Sequence, residues 1–190
     1  VLVSTCEDWP AISRWYWNLC RPRMAPCDEL RRVVAELVRG RPDERARADA
    51  LFTFVSQQIR YLGITAESEA PGYEPHDVTL TLQQRHGVCR DKAALLAAMA
   101  IEASLHGYPV LIHAGPRLDP DVPMPLFNHA IAAIRFSDGT TSLMDPTDEA
   151  TREWLPPYLG NRSYLLATPQ GEPLRTSPVS PAVSNLVRIV

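Results

Sequence analysis

Apolar residues recur at helical spacing through Leu30, Val33, Val34, Leu37 and Val38, which predicts a helix N-capped by Asp28 and stopped at Gly40. Pro42 suits the first turn of a second helix. Its apolar face carries Leu51, Phe54, Val55 and Ile59, and it ends near Tyr61-Leu62-Gly63. From Thr65 to Thr81 the chain turns Glu-, Pro- and Gly-rich and reads as a long surface loop, a kind of segment that is functional or mobile in most compact domains. A third helical pattern fills Ala93 to Leu105, with Leu95, Leu96, Met99 and Ala103 as its buried stripe and Gly107 as its stop. Its many alanines permit close packing against a sheet.

Tyr108 to Ala114 is apolar and branched enough for a strand. A loop stiffened by Pro116, Pro120, Pro123 and Pro125 follows. His129 to Phe136 is a second strand, Asp138-Gly139 a turn, Thr141 to Asp145 a third strand, and Ser163 to Ala167 a fourth, bounded by Pro169 and Gly171. Helices first and an antiparallel meander afterwards make an α+β layout, with one long helix against the sheet. Near the start, Trp9, Trp15 and Trp17 crowd together with Ile12 and Tyr16 and are expected to pack an aromatic edge onto the body.

Composition narrows the classes. The chain has 190 residues, 19 basic against 22 acidic side chains, and 45% apolar content, which suits one domain of ordinary size. A net charge of −3 offers no electrostatic footprint for nucleic acid. The longest apolar run, Ala93 to Ile101, falls well short of the ~20 residues that span a bilayer. No basic-then-apolar leader opens the sequence, and the absence of an initiator Met points to a piece of a longer protein. Cys6, Cys20 and Cys27 cluster early and read as free thiols, although one bridge among them stays open in an oxidising compartment.

Cys89 stands apart from them. Gly87-Val88-Cys89 falls where the third helix begins, and unpaired N–H groups there favour an anion by ~0.3–1 kcal/mol when exposed. Arg90 and Lys92 are expected to add cationic field. A thiolate is the reactive form of cysteine, and it needs a base and a group to orient that base. His129 opens one strand and Asp145 closes its neighbour.

Strand parity tests whether these two meet. A two-residue turn at Asp138-Gly139 sets Asp145 opposite Ala132, facing away from His129. A three-residue loop pairs Phe136 with Thr140 and sets Asp145 opposite Ile131, on the face of His129 as its diagonal neighbour. A Cys-His-Asp site therefore requires an odd loop at Ser137-Asp138-Gly139. Each residue singly has a plain structural reading: buried packing for Cys89, a satisfied core group for His129, a turn initiator before Pro146 for Asp145. Their joint placement, at a helix start and at the ends of adjoining strands, favours chemistry.

On these residues the chain resembles the transglutaminase-like superfamily, whose members share a papain-like fold. The matching stretches run His86-Gly87-Val88-Cys89-Arg90-Asp91-Lys92-Ala93-Ala94-Leu95-Leu96, Gly107-Tyr108-Pro109-Val110-Leu111-Ile112, Phe127-Asn128-His129-Ala130-Ile131 and Leu143-Met144-Asp145-Pro146-Thr147. The likeness extends from about Trp9 to Leu174 and is to a bacterial branch in which this domain follows a β-rich one in a larger, often exported protein. It implies an aromatic-rich extension over 1–27, a catalytic core over 28–174, and a tail over 175–190 leading to a further β-domain. It also implies Cys89 as nucleophile, His129 as base and acid, and Asp145 as orienting group, acting on a peptide or protein substrate. Animal members of the family use calcium, but no Asp/Asn-rich calcium loop stands out here, so neither metal nor cofactor is expected. An extracytoplasmic bacterial setting goes with that branch.

Oxyanion help is expected from the Cys89 N–H. Gln83, six residues upstream, resembles the oxyanion glutamine of papain-like peptidases, and Tyr61 the family's upstream aromatic residue. Asp91 and Lys92 are read as fixing the helix start. The shared step in the family is thiolate attack on a carbonyl to give a thioester, completed by an amine in cross-linking or by water in hydrolysis. Two other readings compete. One is a catalytically silent peptide-binding module using the Thr65–Thr81 and Pro116–Pro125 loops. The other is a metal site from His86 and Cys89 with His76 or the early cysteines Cys6, Cys20 and Cys27, whose spacing lacks the paired knuckle of structural zinc.

Overall fold

The helix that carries Cys89 organises the molecule. In the computed structural model, which describes residues 3–63, 72–150 and 153–179, this helix is Cys89–Glu102, and every residue from Asp91 to Ala100 is buried. A helix buried on all sides must fit between two layers, and five alanines among those ten residues keep it thin enough to do so. It ends where Ser104 takes a left-handed φ of 60° and the Leu105 N–H reaches back to the Ala100 carbonyl at 2.9 Å. The strand that follows runs so close to the helix that a Cβ on Gly107 would collide with the carbonyl of Ala97.

Numbered along the chain, the helices are α1 (Trp9–Cys20), α2 (Asp28–Val38), α3 (Glu44–Gln58), α4 (Val78–Gln84) and α5 (Cys89–Glu102). The strands are β1 (Arg60–Tyr61), β2 (His86–Gly87), β3 (His106–Ile112), β4 (His129–Arg135), β5 (Thr141–Met144), β6 (Ser163–Leu166) and β7 (Arg175–Thr176). The last five form one antiparallel sheet in the order β5-β4-β3-β6-β7, while β1 and β2 make a separate parallel pair. The fold is α+β, as the element order predicts.

Both faces of the sheet are covered. Leu111, Ala132, Ile134, Met144 and Leu165 join α5 and the other helices in the main core. Val110, Ile112, Ile131, Ala133, Leu143 and Leu166 close on Leu159 at the opposite face. This explains why β4 reads as an unbroken apolar run rather than an alternation.

Several expected boundaries differ. The Thr65–Thr81 loop is cut short by α4, which begins at Val78; residues 65–71 of it lie outside the described residues. Cys27, not Asp28, caps α2, its sulfur accepting the Leu30 N–H at 3.4 Å. Asp43 rather than Pro42 begins α3, through a 2.7 Å bond from the Ala46 N–H. The crowded tryptophans belong to a regular helix capped by Asp8, and α1 is bound to the sheet where Ser13 Oγ donates to the Leu166 carbonyl. Residues 175–176, expected in the tail, instead pair with β6, and Ser177 donates to the Leu159 carbonyl. The remainder of that tail, 180–190, lies outside the described residues.

Candidate active site

Cys89 is the first residue of α5, preceded by Val88 in extended conformation. Asp91 holds this turn: its Oδ2 accepts the Val88 N–H at 3.0 Å and its Oδ1 accepts the His76 N–H at 2.9 Å. That matches its expected capping role. Gly87 must be glycine here, because a Cβ would stand 2.8 Å from the Cβ of Asp91. Lys92 does something different from what its position suggests. Fully buried, it donates from Nζ to the carbonyls of Ser56 and Ile59, tying α5 to the end of α3. Burial lowers its pKa to about 8, against smaller opposing pulls from Glu149 and Asp145. The next residues form β1, whose Tyr61 pairs with Gly87.

The β4–β5 connection is the three-residue loop. Phe136 N–H bonds to the Thr140 carbonyl at 2.8 Å, and Gly139 takes a left-handed φ of 83°. The ladder runs Arg135 with Thr141 through Ala132 with Met144, a register that continues to Asp145 opposite Ile131. His129 Nε2 accordingly lies 2.9 Å from Asp145 Oδ2. The carboxylate is buried and fully occupied: Oδ1 accepts the Thr147 N–H at 2.9 Å and its hydroxyl at 2.7 Å, and the Tyr158 hydroxyl donates to Oδ2 at 3.1 Å. With Nε2 committed to Asp145, Nδ1 is the ring nitrogen left for Cys89, whose thiol bonds to the same imidazole.

Electrostatics follow this chain of contacts. Burial alone would raise the Cys89 pKa, but the bond to and charge of His129, with the N–H groups of Ala130 and Arg90, bring it below the ordinary thiol value. Burial would likewise depress His129, yet its bonds to Asp145 and Cys89 raise it to about 9. Asp145 is held below the ordinary carboxylate range: burial opposes this, and His129 and Thr147 outweigh it. The arrangement favours a thiolate–imidazolium pair. Of the two cations expected to add to this field, Lys92 is engaged with α3 and Arg90 Nε donates to the Glu74 carbonyl at 2.8 Å.

A cavity of about 280 Å³ opens beside Cys89 and His129, walled by Tyr16, Tyr73, Leu111 and Phe127. The two oxyanion candidates separate. Tyr61 is half-buried and near enough to Cys89 and Asp145 that their charges, after burial, push its phenol pKa up. Gln83 is exposed on α4, and the left-handed turn at Arg85 and the short β2 intervene between it and Cys89; neither Tyr61 nor Gln83 lines the cavity. Tyr16 was read only as packing, Thr147 only as part of the Asp145 stretch and Tyr158 not at all, although Asp145-Pro146-Thr147 carries the signature of an Asx turn that would have revealed the part of Thr147. His76 Nδ1 lies 3.2 Å from Asp91, and among the described residues no three His, Cys, Asp or Glu side chains converge as a metal would require.

Residues 31–146, more than half the chain and including Cys89, His129 and Asp145, match the family model of the transglutaminase-like superfamily. The chain belongs to that superfamily. No curated protein matches it. Among solved structures, it resembles a putative protease from Parabacteroides distasonis ATCC 8503, with a TM-score of 0.66 and 14% identity over 89% of this chain. It also aligns with a putative cysteine protease from Cytophaga hutchinsonii (TM-score 0.49, 19% identity, 67% of this chain) and the periplasmic domain of TgpA from Pseudomonas aeruginosa (0.48, 18%, 70%). The chain spans 32% of the first of these proteins, 42% of the second and 48% of the third. At these identities the likeness to the Parabacteroides structure establishes the transglutaminase-like fold. Among the described residues no helix is long and apolar enough to cross a membrane.

Proposed function

We propose that this domain is a cysteine acyl-transfer enzyme in which Cys89, His129 and Asp145 act as nucleophile, acid–base and orienting group on a peptide or protein carbonyl. The observation that carries the reading is the single imidazole of His129 held between the Cys89 thiol and the Asp145 carboxylate. In the first half-reaction the thiolate attacks the carbonyl carbon. The resulting oxyanion is met by the Cys89 N–H, free at the first position of α5, and by the hydroxyl of Tyr61; one such donor is worth roughly 10²–10³ in rate. The imidazolium of His129 gives its Nδ1 proton to the departing amine, the C–N bond breaks, and a thioester remains on Cys89. In the second half, neutral His129 takes a proton from an incoming amine or water as it attacks the thioester, and the Cys89 sulfur leaves as thiolate. Every step uses this chain's own groups, and Asp145 fixes the ring without changing its own protonation.

Incubation with a peptide library and amine donors, read by intact mass, tests this. A covalent acyl adduct on Cys89, absent in Cys89→Ala, is the expected result, and the mass of the released product tells amine from water as acceptor. If no adduct forms although Cys89 labels faster than every other cysteine, the catalytically silent peptide-binding module becomes the better account.

A further inference from the structure

Tyr61 belongs to a strand only two residues long, and charge meets that strand on its outer edge. Along β1 the Arg60 N–H donates to the Arg85 carbonyl at 2.8 Å and the Leu62 N–H to the Gly87 carbonyl at 3.0 Å. Backbone groups alternate edges in an extended chain, so the Ile59 carbonyl and the Tyr61 N–H face the other way. Among the described residues no strand pairs with β1 on that side. Each group there meets a charged side chain instead. Lys92 Nζ donates to the Ile59 carbonyl, and Glu149 Oε1 accepts the Tyr61 N–H at 2.7 Å. The two charges also feel each other: Glu149 pulls the Lys92 pKa upward, against the larger effect of burial.

Lys92 has no exposed surface, and desolvating an ammonium is costly unless its protons find acceptors. A methionine would fill similar space without that cost. What the ammonium adds is donors at the point where α3 ends. Because the Arg60 N–H is diverted to β2, the Ser56 carbonyl four residues earlier loses its helical partner, and Nζ takes it at 3.3 Å. One side chain thus ties the last turn of α3 and the entry to β1 to the helix whose first residue is Cys89. At the far end of β1, Tyr61 pairs with Gly87, and its phenol is near enough to Cys89 and Asp145 to sense their charges.

We propose that Lys92 and Glu149 are positioning residues, which together clamp the outer edge of β1 and so set the Tyr61 hydroxyl against the carbonyl oxygen that Cys89 attacks. This rests on the cysteine acyl-transfer reading and names what holds its side-chain oxyanion donor. Neither residue touches the reacting atoms. Their effect is one of placement, where an error of about 1 Å can cost on the order of 10²-fold in rate.

Two reagents on the intact chain test this. Iodoacetamide alkylates the Cys89 thiolate without forming an oxyanion. With p-nitrophenyl acetate the thiolate adds to the carbonyl, an oxyanion forms, the C–O bond breaks and p-nitrophenolate leaves a thioester on Cys89; Cys89→Ala supplies the blank. Tyr61→Phe should slow acetylation by about tenfold or more, and Lys92→Met and Glu149→Ala each by about threefold to tenfold. Alkylation of Cys89 should stay within about twofold in all three, because the thiolate itself is undisturbed. In the Tyr61→Phe background, either second substitution should slow acetylation by less than about twofold, since the group it positions is gone. Should Lys92→Met fail to fold, the exposed Glu149 carries the test alone. Lys92 also lies within electrostatic reach of Asp145, so equal slowing of both reagents would mean that it acts on the His129–Cys89 pair and would overturn the clamp. Unchanged acetylation, or losses that multiply with that of Tyr61→Phe, would overturn it too. A Tyr61→Phe variant that acetylates normally would leave the clamp without a purpose and the nucleophile standing. Failure of iodoacetamide to prefer Cys89 in the unaltered protein would remove the underlying reading instead.

Discussion

Two cysteines of this protein sit at helix starts, and only one of them has the surroundings of a nucleophile. Cys27 caps α2, and Cys89 opens α5. Both thiols have pKa values below the ordinary one. For Cys27, burial pulls upward and is outweighed by the Thr79 hydroxyl and the N–H groups of Leu30 and Glu29. For Cys89 the counterweight is chiefly an imidazole, itself raised to about 9 and backed by a buried carboxylate. A helix tip contributes less than one pK unit when exposed, because its ~0.3–1 kcal/mol falls short of the ~1.4 kcal/mol that one unit represents. Donors that merely hold an anion therefore make a good cap. Acyl transfer needs in addition a neighbour that gives a proton and takes one back.

The largest expected difference is between removing each sulfur. Cys89→Ala should abolish the acyl adduct and all turnover, read by intact mass. Cys27→Ala should leave both intact and cost roughly 1 kcal/mol of stability through the lost α2 cap, read by thermal melting. If Cys27→Ala stops the reaction instead, the comparison is inverted. Next comes His129→Ala, which should reduce kcat by on the order of 10²–10⁴ and slow iodoacetamide labelling of Cys89 near neutral pH, with labelling of Cys27 unaffected. Equal labelling of both thiols in the unaltered protein would mean that the imidazole adds nothing to what the helix start provides.

Asp145→Asn tests the deeper layer of the same contrast. An amide in place of the carboxylate removes the anion that raises His129 and favours the wrong ring tautomer, so a loss on the order of 10²–10⁴ in kcat/KM is expected. The pH profile carries a second sign. In the unaltered protein activity should decline on the alkaline side as His129 passes its pKa of about 9 and loses the proton destined for the leaving amine, and in Asp145→Asn this limb should move to lower pH. Stability supplies an acid-side counterpart. Because the folded-state pKa of Asp145 is depressed, its contribution is complete above the unfolded value of ~3.9 and is lost as pH falls through the lower folded value. The melting temperature of the unaltered protein should therefore drop more steeply below pH 4 than that of Asp145→Asn.

How much of this could be read beforehand depends on the range of each cue. The α5 start and the four main strands were legible because periodicity is local; turn chemistry left a two-residue turn and a three-residue loop open, and the odd loop followed only from requiring Asp145 on the face of His129, which the register bears out. The surroundings of Lys92 and Gln83 were out of reach of the sequence for a common reason. Position next to a motif says which element a side chain leaves from, while its partner is chosen by what packs there, α3 for Lys92 and solvent for Gln83. Tyr16 and Tyr158 lie 73 residues before and 69 after Cys89, so no local pattern links them to it, and only the folded chain brings α1 and the segment after β5 to the site. The strands too short to show a pattern, β1, β2 and β7, were missed for want of residues.

The smallest expected effect belongs to Tyr158, which has no counterpart at Cys27. Its hydroxyl is one of four donors on Asp145, sharing Oδ2 with the His129 ring. Partial burial, and then the charge of and bond to Asp145, drive the phenol pKa well above its ordinary value, so it donates throughout the working range. Tyr158→Phe removes a bond worth about 1 kcal/mol and leaves Oδ2 with His129 alone. The carboxylate then holds the imidazolium more strongly, so the alkaline limb of the pH profile should move slightly upward, while kcat/KM falls by no more than roughly fivefold as the ring loses part of its fixing. Both shifts oppose or fall far below those of Asp145→Asn. A limb that moved downward would show that Tyr158 supports the charge on His129 rather than sharing the carboxylate with it.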